Sequence, residues 1–298
     1  MAKIEREQVF FEDKAHSSSK RNVNFDQSPG IDGRNFLIHI NSIKVIQAST
    51  FAVHQICMSE FTLDILALGA HPDDVEISCG ATILKAIEEG KKVGIIDLTA
   101  GELGSRGSKE SRIKEAEQAS RLLGLSIREN LEFRDCHFQN DEWHRLKIIE
   151  KIRQYRPRTV LVNSPNDRHP DHAKASVLVR EACFYSGLVK LETKLDGVLQ
   201  PAFRPQSVFM YIQDYHVNPS FVVNVSGYWE KKVNVLKCYG SQFYDPDASE
   251  PKTPISGEEF FDFLYGKALS FGRPCGFLLG EGFVVDRYAG VQSISHVI

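Results

Sequence analysis

Two short clusters of histidine and aspartate in this chain have the residue types and spacing of a metal centre. Residues 70–76 (AHPDDVE) directly follow the apolar run 63–69, and residues 169–172 (HPDH) come shortly after the apolar run 159–162. A single His-Pro-Asp is equally consistent with a turn, since proline and aspartate favour turns. Two adjacent carboxylates, however, repel each other unless a cation compensates them, and a similar cluster recurs at a second strand end. The pair of clusters therefore favours a divalent metal site.

Together the clusters supply enough ligands for such an ion. We predict that His71, Asp74 and His172 bind it as two imidazoles and one carboxylate, a set that leaves open positions for water and substrate. Zn²⁺ suits these ligands, and Fe²⁺ also accepts them. Asp73 is then the spare carboxylate. We predict that it acts as a general base toward water that the metal activates for attack on a carbonyl.

Other polar residues near the clusters are assigned roles around this centre. His169, if protonated, would stabilise an oxyanion or protonate a leaving amine, and Asp171 would hold it in that charged state. Arg106, in a glycine-rich loop, is predicted to bind substrate, although an exposed loop arginine without function also fits the pattern. Glu76 would either support the metal ligands or favour the N-terminus of a helix, and Asp167 is expected to be structural.

Strand-like and helix-like segments alternate from residue 63 onward, which predicts an α/β fold. The expected architecture is a Rossmann-like, mostly parallel sheet with helices on both faces. In such a sheet, ligands bind at the carboxyl ends of the strands near the topological switch point, where both clusters are expected to lie. The predicted strands are 63–69, 93–98, 130–134, 158–163, 207–212 and 221–225, and the predicted helices are 75–89, one between Ser108 and Gly124, one between Asp141 and Pro157, 173–186 and 227–239.

The composition is that of a soluble globular protein. Of 298 residues, 42% are hydrophobic and 25% are charged, and the net charge of −3 provides no basic field for nucleic acid. No apolar run reaches the ~18 residues of a membrane span, and no signal-peptide pattern indicates secretion. The six cysteines are scattered without a C-x-x-C pair, which is typical of reduced thiols in a cytoplasmic protein.

The beginning of the chain differs from the rest. Residues 3–35 are polar, with a serine run and turn-rich stretches, and convincing strand and helix patterns begin only at residue 63. We predict that residues 1–57 form a disordered, non-catalytic extension and that residues 58–298 form the catalytic domain. Met58 is then an alternative start of the protein. The competing interpretation of residues 1–57 is a regulatory or packing arm.

On these residues, the chain resembles the PIG-L/LmbE family of zinc-dependent de-N-acetylases. The resemblance rests on the motifs at 70–76 and 169–172 and covers about residues 62–290. It implies an LmbE-like fold, a zinc cofactor and the same ligands, general base and His169–Asp171 pair as above. It also implies a homo-oligomer, a trimer or a hexamer.

Within that family the chain is most similar to the bacillithiol-pathway branch, which removes acetate from N-acetylglucosaminyl-L-malate. The similarity rests on the segments DRHPDH (167–172), PSFVV (219–223), SQFY (241–244) and GEGF (280–283), whereas Asn224 stands where the branch more usually has aspartate. The predicted reaction is therefore hydrolysis of this small amino-sugar conjugate to glucosaminyl-malate and acetate in bacillithiol biosynthesis.

Three alternative functions stay open. A deacetylase of another amino-sugar conjugate, whether chitobiose-like, mycothiol-type or a sugar-lipid, would use the same residues. A catalytically inactive sugar-binding protein would be expected to lack a metal ligand or the base, and none is missing here. A nucleotide-binding module is suggested only by the glycines at positions 101, 104 and 107, whose spacing differs from the dinucleotide and P-loop fingerprints.

Overall fold

The computed structural model of the protein describes residues 61–243 and 249–297. The predictions that residues 1–57 form a non-catalytic extension and that Met58 is an alternative start lie outside these residues. Within the described ranges, no helix is both long enough and apolar enough to cross a membrane.

A seven-stranded mixed sheet forms the centre of the fold. Its strand order is β3-β2-β1-β4-β7-β9-β8; β1, β2, β3, β4 and β7 are parallel, and β9 runs antiparallel to both of its neighbours. A separate hairpin pairs β5 with β6. The strands are β1 (Ile65–Gly69), β2 (Val93–Thr99), β3 (Ile127–Phe133), β4 (Thr159–Asn163), β5 (Lys194–Leu195), β6 (Val198–Leu199), β7 (Ser207–Tyr211), β8 (Phe221–Asn224) and β9 (Gly280–Val284).

Helices cover both faces of this sheet, as the alternating sequence pattern predicts. They are α1 (Asp74–Glu88), α2 (Lys109–Leu123), α3 (Glu142–Tyr155), α4 (Pro170–Tyr185), α5 (Trp229–Leu236) and α6 (Glu259–Gly272). Alternate side chains of one strand enter opposite apolar layers, because strand side chains alternate between faces. Ala67 of β1 packs in a cluster with α1, α2, α5 and α6. Its neighbours Leu66 and Leu68 pack in a second cluster with α3 and α4. The predicted α/β architecture is therefore confirmed.

The strand order reverses direction between β1 and β4. The chain moves outward from β1 through β2 to β3 and then returns to place β4 on the other side of β1. Loops that leave the carboxyl ends of β1 and β4 therefore diverge around a crevice, which is the usual ligand position in such sheets. These are the two loops that carry the histidine–aspartate clusters.

Local sequence signals fix where the helices begin and end. Ser108 caps α2 in a reciprocal capping box with Ser111, and Gly124 ends that helix with a left-handed φ of 78°. The Asp141 side chain accepts a hydrogen bond from the backbone N–H of His144 at the start of α3. These boundaries agree with the predicted ones.

Several elements differ from the sequence-based expectation. Helix α4 begins at Pro170 rather than at residue 173, because the His169 side chain caps it and proline fits the first helical turn. Strand β3 begins at Ile127 rather than at residue 130, and helix α5 ends at Leu236 rather than at residue 239. The hairpin of β5 and β6, helix α6 and the antiparallel strand β9 were not predicted. Strand β9 contains two glycines, Gly280 and Gly282, which weaken any strand pattern in the sequence.

Replacement of Ser108 by alanine should destabilise the protein through helix α2. Loss of the side-chain acceptor for the Ser111 N–H should lower the free energy of unfolding by about 1 kcal/mol, measured by urea denaturation. The matched control is Ser120→Ala in the same helix, where the hydroxyl donates to the Ala116 carbonyl 2.6 Å away. Alanine is favoured at such interior positions, so this change should cost less than ~0.5 kcal/mol. Equal losses in the two variants would contradict the capping role.

Candidate active site

The two clusters meet at the carboxyl ends of β1 and β4. Asn163, the last residue of β4, connects them: its Oδ1 accepts a hydrogen bond from the Ala70 N–H at 3.0 Å, and its Nδ2 donates to Asp74 Oδ2 at 3.1 Å. The Asn163 and Asp74 side chains are both buried, that of Asn163 completely. The Asn163 amide thus holds the first cluster against β4, the strand that precedes the second cluster.

Three histidines from the two clusters lie around one point. The His71 ring centroid is 4.7 Å from that of His169 and 5.6 Å from that of His172, and the last two rings are stacked 5.1 Å apart. One nitrogen of each ring lies within 4.8 Å of the others, a spacing that can hold a metal ion. His71 and His172 are buried, and His169 is partly exposed.

The Asp74 carboxylate lies beside two of these histidines. Its Oδ1 is 3.1 Å from His172 Nε2, and its Oδ2 is 3.5 Å from His71 Nδ1. Gln213 also donates to Oδ1 at 2.8 Å, and the His71 N–H donates to Oδ2 at 3.0 Å. Burial alone would raise the pKa of Asp74, but His172 and His71 hold it well below its usual value. The predicted ligands His71, Asp74 and His172 therefore lie together, with the Asp74 carboxylate ionised and an imidazole on each side of it.

A further carboxylate lies behind each of the two imidazoles. Asp135 Oδ1 is 3.1 Å from His71 Nε2, and Asp167 Oδ2 is 2.8 Å from His172 Nδ1. Each carboxylate fixes one ring nitrogen and leaves the other, His71 Nδ1 and His172 Nε2, beside Asp74. Carboxylates in this position typically orient metal-binding histidines and increase their basicity.

The electrostatics of this set fit a divalent cation. Burial lowers the pKa of His172, but Asp74 and Asp167 outweigh it and raise that pKa to about 9. The pKa of His71 is likewise raised well above its usual value by Asp135, Asp171 and Asp74, against the effect of burial. The site thus favours added positive charge, and its donors are the nitrogen and oxygen ligands that Zn²⁺ accepts. In a second group, one donor atom each of His71, Asp135 and Asp171 also lies within 4.8 Å of the others, a spacing that can hold a metal ion.

Asp73, the predicted base, occupies a constrained position directly before α1. Its φ of 102° is left-handed, and its side chain is only 4% exposed. Arg112 Nη2 donates to Asp73 Oδ2 at 3.2 Å, and Arg112 Nη1 donates to the Gly101 carbonyl at 3.3 Å. Burial raises the pKa of Asp73 to about 7, and Arg112 opposes that rise. A carboxyl group with a pKa near neutrality is suited to general base catalysis.

Arg112 was not singled out from the sequence. It lies on helix α2, 39 positions from Asp73, in a segment that contains several other charged residues. Gly101 allows its close approach, because a Cβ at that glycine would lie 2.0 Å from Arg112 Nη1. A glycine followed at a distance by an arginine is too common a pattern to indicate this contact.

His169 is held differently from the expectation. Its Nδ1 accepts a hydrogen bond from the Asp171 backbone N–H at 3.2 Å, as the N-cap of α4. Burial, with the nearby His71 and His172, lowers the pKa of His169 to about 4. A neutral ring that accepts at Nδ1 carries its proton at Nε2, so it can donate a hydrogen bond without being charged.

The expected pairing of the Asp171 carboxylate with His169 is wrong. Asp171 Oδ1 accepts from Lys174 at 2.9 Å, and Oδ2 accepts from the Cys136 N–H at 2.9 Å and lies 3.6 Å from His71 Nε2. Lys174 lies one turn further along the same helix, where it can reach the carboxylate. Asp171 thus acts on His71 rather than on His169.

The other predicted positions are also located. Arg106, expected on an exposed loop, is only 5% exposed; its Nε lies 3.3 Å from Glu250 Oε2.

Glu76 is fully buried and accepts hydrogen bonds from Arg128 and from Tyr239 Oη. It belongs to a buried charge network that joins α1 to the sheet, rather than to a solvated helix N-terminus.

Asp167 is more than a structural loop residue. Besides contacting His172, its Oδ1 accepts from the backbone N–H groups of Asp214 and Tyr215 at 3.1 and 3.3 Å. The signal in the sequence was its place in the same short run as the second cluster. Sequence reasoning did not identify Asp135 at all, since it stands alone after β3.

Comparison with known proteins places the chain among de-N-acetylases. Residues 66–183 match the family described as PIG-L: GlcNAc-PI de-N-acetylase. The diacetylchitobiose deacetylase of Thermococcus kodakarensis is 30% identical over 247 residues, which cover 78% of this chain and 88% of that protein. A 1D-myo-inositol 2-acetamido-2-deoxy-alpha-D-glucopyranoside deacetylase of Geodermatophilus obscurus is 27% identical over 175 residues, covering 47% of this chain and 55% of that protein.

Solved structures show the same architecture. The conserved protein TT1542 of Thermus thermophilus is 34% identical with a TM-score of 0.69, covering 78% of this chain and 99% of that one. The N,N'-diacetylchitobiose deacetylase of Pyrococcus horikoshii is 25% identical with a TM-score of 0.62, covering 74% and 82%. The GalB hydratase of Pseudomonas putida, at 20% identity and a TM-score of 0.63 over 77% and 98%, shares the fold alone.

Replacement of Asp167 by asparagine should weaken metal binding without unfolding the site. The amide oxygen can still accept the loop N–H groups, but the charge that orients His172 is lost. Such changes typically cost about 10–100-fold in metal affinity. Competition with a chelator would measure the Zn²⁺ affinity, with Asp286→Asn, a surface carboxylate paired with Arg180, as the matched control. Unchanged affinity in Asp167→Asn would contradict the orienting role.

Proposed function

The chain belongs to the PIG-L family of de-N-acetylases, and from that premise we propose that it hydrolyses the N-acetyl group of an N-acetylglucosamine conjugate. The observation that carries this proposal is a buried carboxyl, Asp73, directly adjacent to Asp74, whose carboxylate lies 3.1 Å from His172 Nε2 and 3.5 Å from His71 Nδ1. A base beside a metal centre is the requirement for attack of water on an amide.

The proposed metal ligands are His71 Nδ1, Asp74 and His172 Nε2. The ion, Zn²⁺ or Fe²⁺, would act as a Lewis acid that lowers the pKa of water and polarises the acetyl carbonyl. Asp135 and Asp167 hold the two imidazoles in the required orientation from behind. Asn163 and Gln213 hold the Asp74 carboxylate.

The proton transfers are assigned to Asp73 and His169. Arg112 binds Asp73 Oδ2, so we assign Oδ1 as the atom that accepts a proton from water during attack on the acetyl carbon. The Nε2–H of neutral His169 then donates a hydrogen bond to the developing oxyanion. When the C–N bond breaks, the proton on Asp73 passes to the amine, and acetate and the free amino sugar are released.

Within the class of N-acetylglucosamine conjugates, the substrate that we propose is N-acetylglucosaminyl-L-malate, the conjugate of the bacillithiol pathway. Its support is the resemblance of residues 167–172, 219–223, 241–244 and 280–283 to that branch. A malate aglycone carries two carboxylates and requires cationic groups. Arg106 is the proposed contact, since its Nη2 has no hydrogen-bond partner among the described residues. The similarity to two diacetylchitobiose deacetylases favours a second candidate, a chitobiose-like saccharide.

Two further proposals concern the oligomeric state of the protein and the role of residues 1–57. A homo-oligomer, a trimer or a hexamer, is proposed from the family resemblance. Residues 1–57 are proposed to be dispensable for catalysis, so a chain beginning at Met58 would keep the site described above.

Replacement of Asp73 by asparagine should abolish most turnover while leaving the metal in place. The amide is isosteric but cannot accept the proton, so kcat should fall by about 10²–10⁴-fold. Acetate release and metal content would be measured on the same preparation. Asp286→Asn again serves as control. Near-normal turnover with bound metal would contradict the role of Asp73 as base.

The substrate assignment is tested by comparing kcat/KM on three conjugates. We expect N-acetylglucosaminyl-L-malate to exceed both diacetylchitobiose and an N-acetylglucosaminyl-inositol by at least about tenfold, which corresponds to ~1.4 kcal/mol of transition-state binding. Acetate release from diacetylchitobiose at a higher kcat/KM would favour the second candidate. A complete lack of acetate release from all three would contradict both.

A further inference from the structure

A small cavity with apolar and charged walls lies where α1, α6 and β9 come together. Its apolar wall includes Ile77 of α1, Leu264 and Phe271 of α6. The cavity measures about 20 Å³, which is room for one water-sized particle. Two lysine side chains, Lys232 of α5 and Lys267 of α6, also line it.

The first lysine is already neutralised. Lys232 Nζ donates to Glu281 Oε1 at 2.7 Å, and both side chains are about 95% buried. The same carboxylate accepts hydrogen bonds from the Ala81 N–H at 3.2 Å, from the Thr82 N–H at 2.7 Å and from Thr82 Oγ1 at 2.6 Å. Glu281 is thus fully engaged with α1 and Lys232.

The second lysine has no such partner. The Nζ of Lys267 is buried and makes no hydrogen bond to any described residue; its nearest aromatic contact is the Phe263 ring, 5.0 Å from Nζ to the centroid. Burial and the neighbouring Lys232 lower the pKa of Lys267 to about 8, and the carboxylates of Asp167 and Asp214 oppose that shift. An ammonium group in this environment is unfavourable unless an opposite charge accompanies it.

We propose that this cavity is an anion-binding site, in which the Lys267 ammonium binds one small monovalent anion. Among the residues that line the cavity, Lys232 and Glu281 form an ion pair, which leaves Lys267 as the lining cation that no lining carboxylate pairs with. The cavity volume suits a halide, and formate is the largest anion that we expect it to admit; acetate is larger, and phosphate and sulfate are larger still and more highly charged. The site includes neither the proposed metal ligands nor the proposed base of the acetyl-hydrolysing centre.

The walls of the anion site are also the supports of Asp74. Ser78 lines the cavity, and its Oγ donates to the Asp74 carbonyl at 2.7 Å. Ile212 lines it from the end of β7, directly before Gln213, whose amide donates to the Asp74 carboxylate at 2.8 Å. An anion that binds only the folded protein stabilises it by mass action.

The test measures thermal unfolding of the full chain in sodium chloride, bromide, formate and acetate, with gluconate keeping the ionic strength constant. We expect Tm to rise with at least one small anion and to saturate, and to stay unchanged with gluconate, which is too large for the cavity. Lys267→Met should abolish the rise. Lys231→Met, at an exposed lysine paired with Glu88, should retain it. The anion that gives the response identifies the ligand as halide or carboxylate.

An equal rise of Tm in wild-type protein and in Lys267→Met would overturn the proposal, since a general salt effect would explain it. A crystal soaked in bromide provides a measurement that needs no variant. If halide is the responding ligand, an anomalous peak beside Lys267 Nζ is expected, and an empty cavity would overturn the proposal. If only the carboxylates respond, density for a bound formate beside Nζ is the required result.

Discussion

The buried carboxylate of Asp74 is the interaction on which the rest of the site depends. It lies at the switch point of the sheet and receives groups from both sides: Asn163 and Gln213 from the ends of β4 and β7, and His172 from the start of α4. A carboxylate buried in this way is unfavourable without donors and a nearby positive charge. The elements that end at this edge of the sheet are therefore fixed relative to one another by the need to satisfy one charged group.

The same requirement organises the surroundings of the site. Four buried acidic groups contact three buried basic ones: Asp73 pairs with Arg112, Glu76 and Asp97 share Arg128, and Glu281 pairs with Lys232. These pairs connect α1 to α2 and to the β2–β3 edge, and they connect β9 to α5. Glu281 of β9 also accepts hydrogen bonds from the N–H groups of Ala81 and Thr82 in α1. Breaking one partner of such a pair would leave an uncompensated charge, so the pairs restrict how α1 can sit on the sheet. Helix α1 begins at Asp74, and its placement fixes the proposed ligand and base together.

The fold alone does not specify the chemistry. A hydratase shares this architecture at 20% identity, and the diacetylchitobiose deacetylase of Pyrococcus horikoshii shares it at 25%. A doubly covered parallel sheet provides a crevice at its switch point and places loops around it. The chemistry proposed for the present chain rests on the content of those loops: an ionised carboxylate between two imidazoles, and next to it a carboxyl whose pKa is raised by burial.

The sequence by itself determined the architecture and the convergence of the two clusters. Alternating strand and helix patterns, caps such as Ser108 and Asp141, and the position of each cluster after a strand are local properties, and parallel strands bring such loops to one edge. Helix α6 and strand β9 escaped prediction because glycines and an interrupted pattern carry little local signal. Only the tertiary structure decided which carboxylate serves which ring. Asp135 meets His71 from 64 positions away, and Asp171 turns to His71 and Lys174 instead of to its sequence neighbour His169. Hydrogen-bond partners, ring tautomers and pKa shifts depend on distances between side chains from separate elements, and no local pattern in a chain encodes those distances.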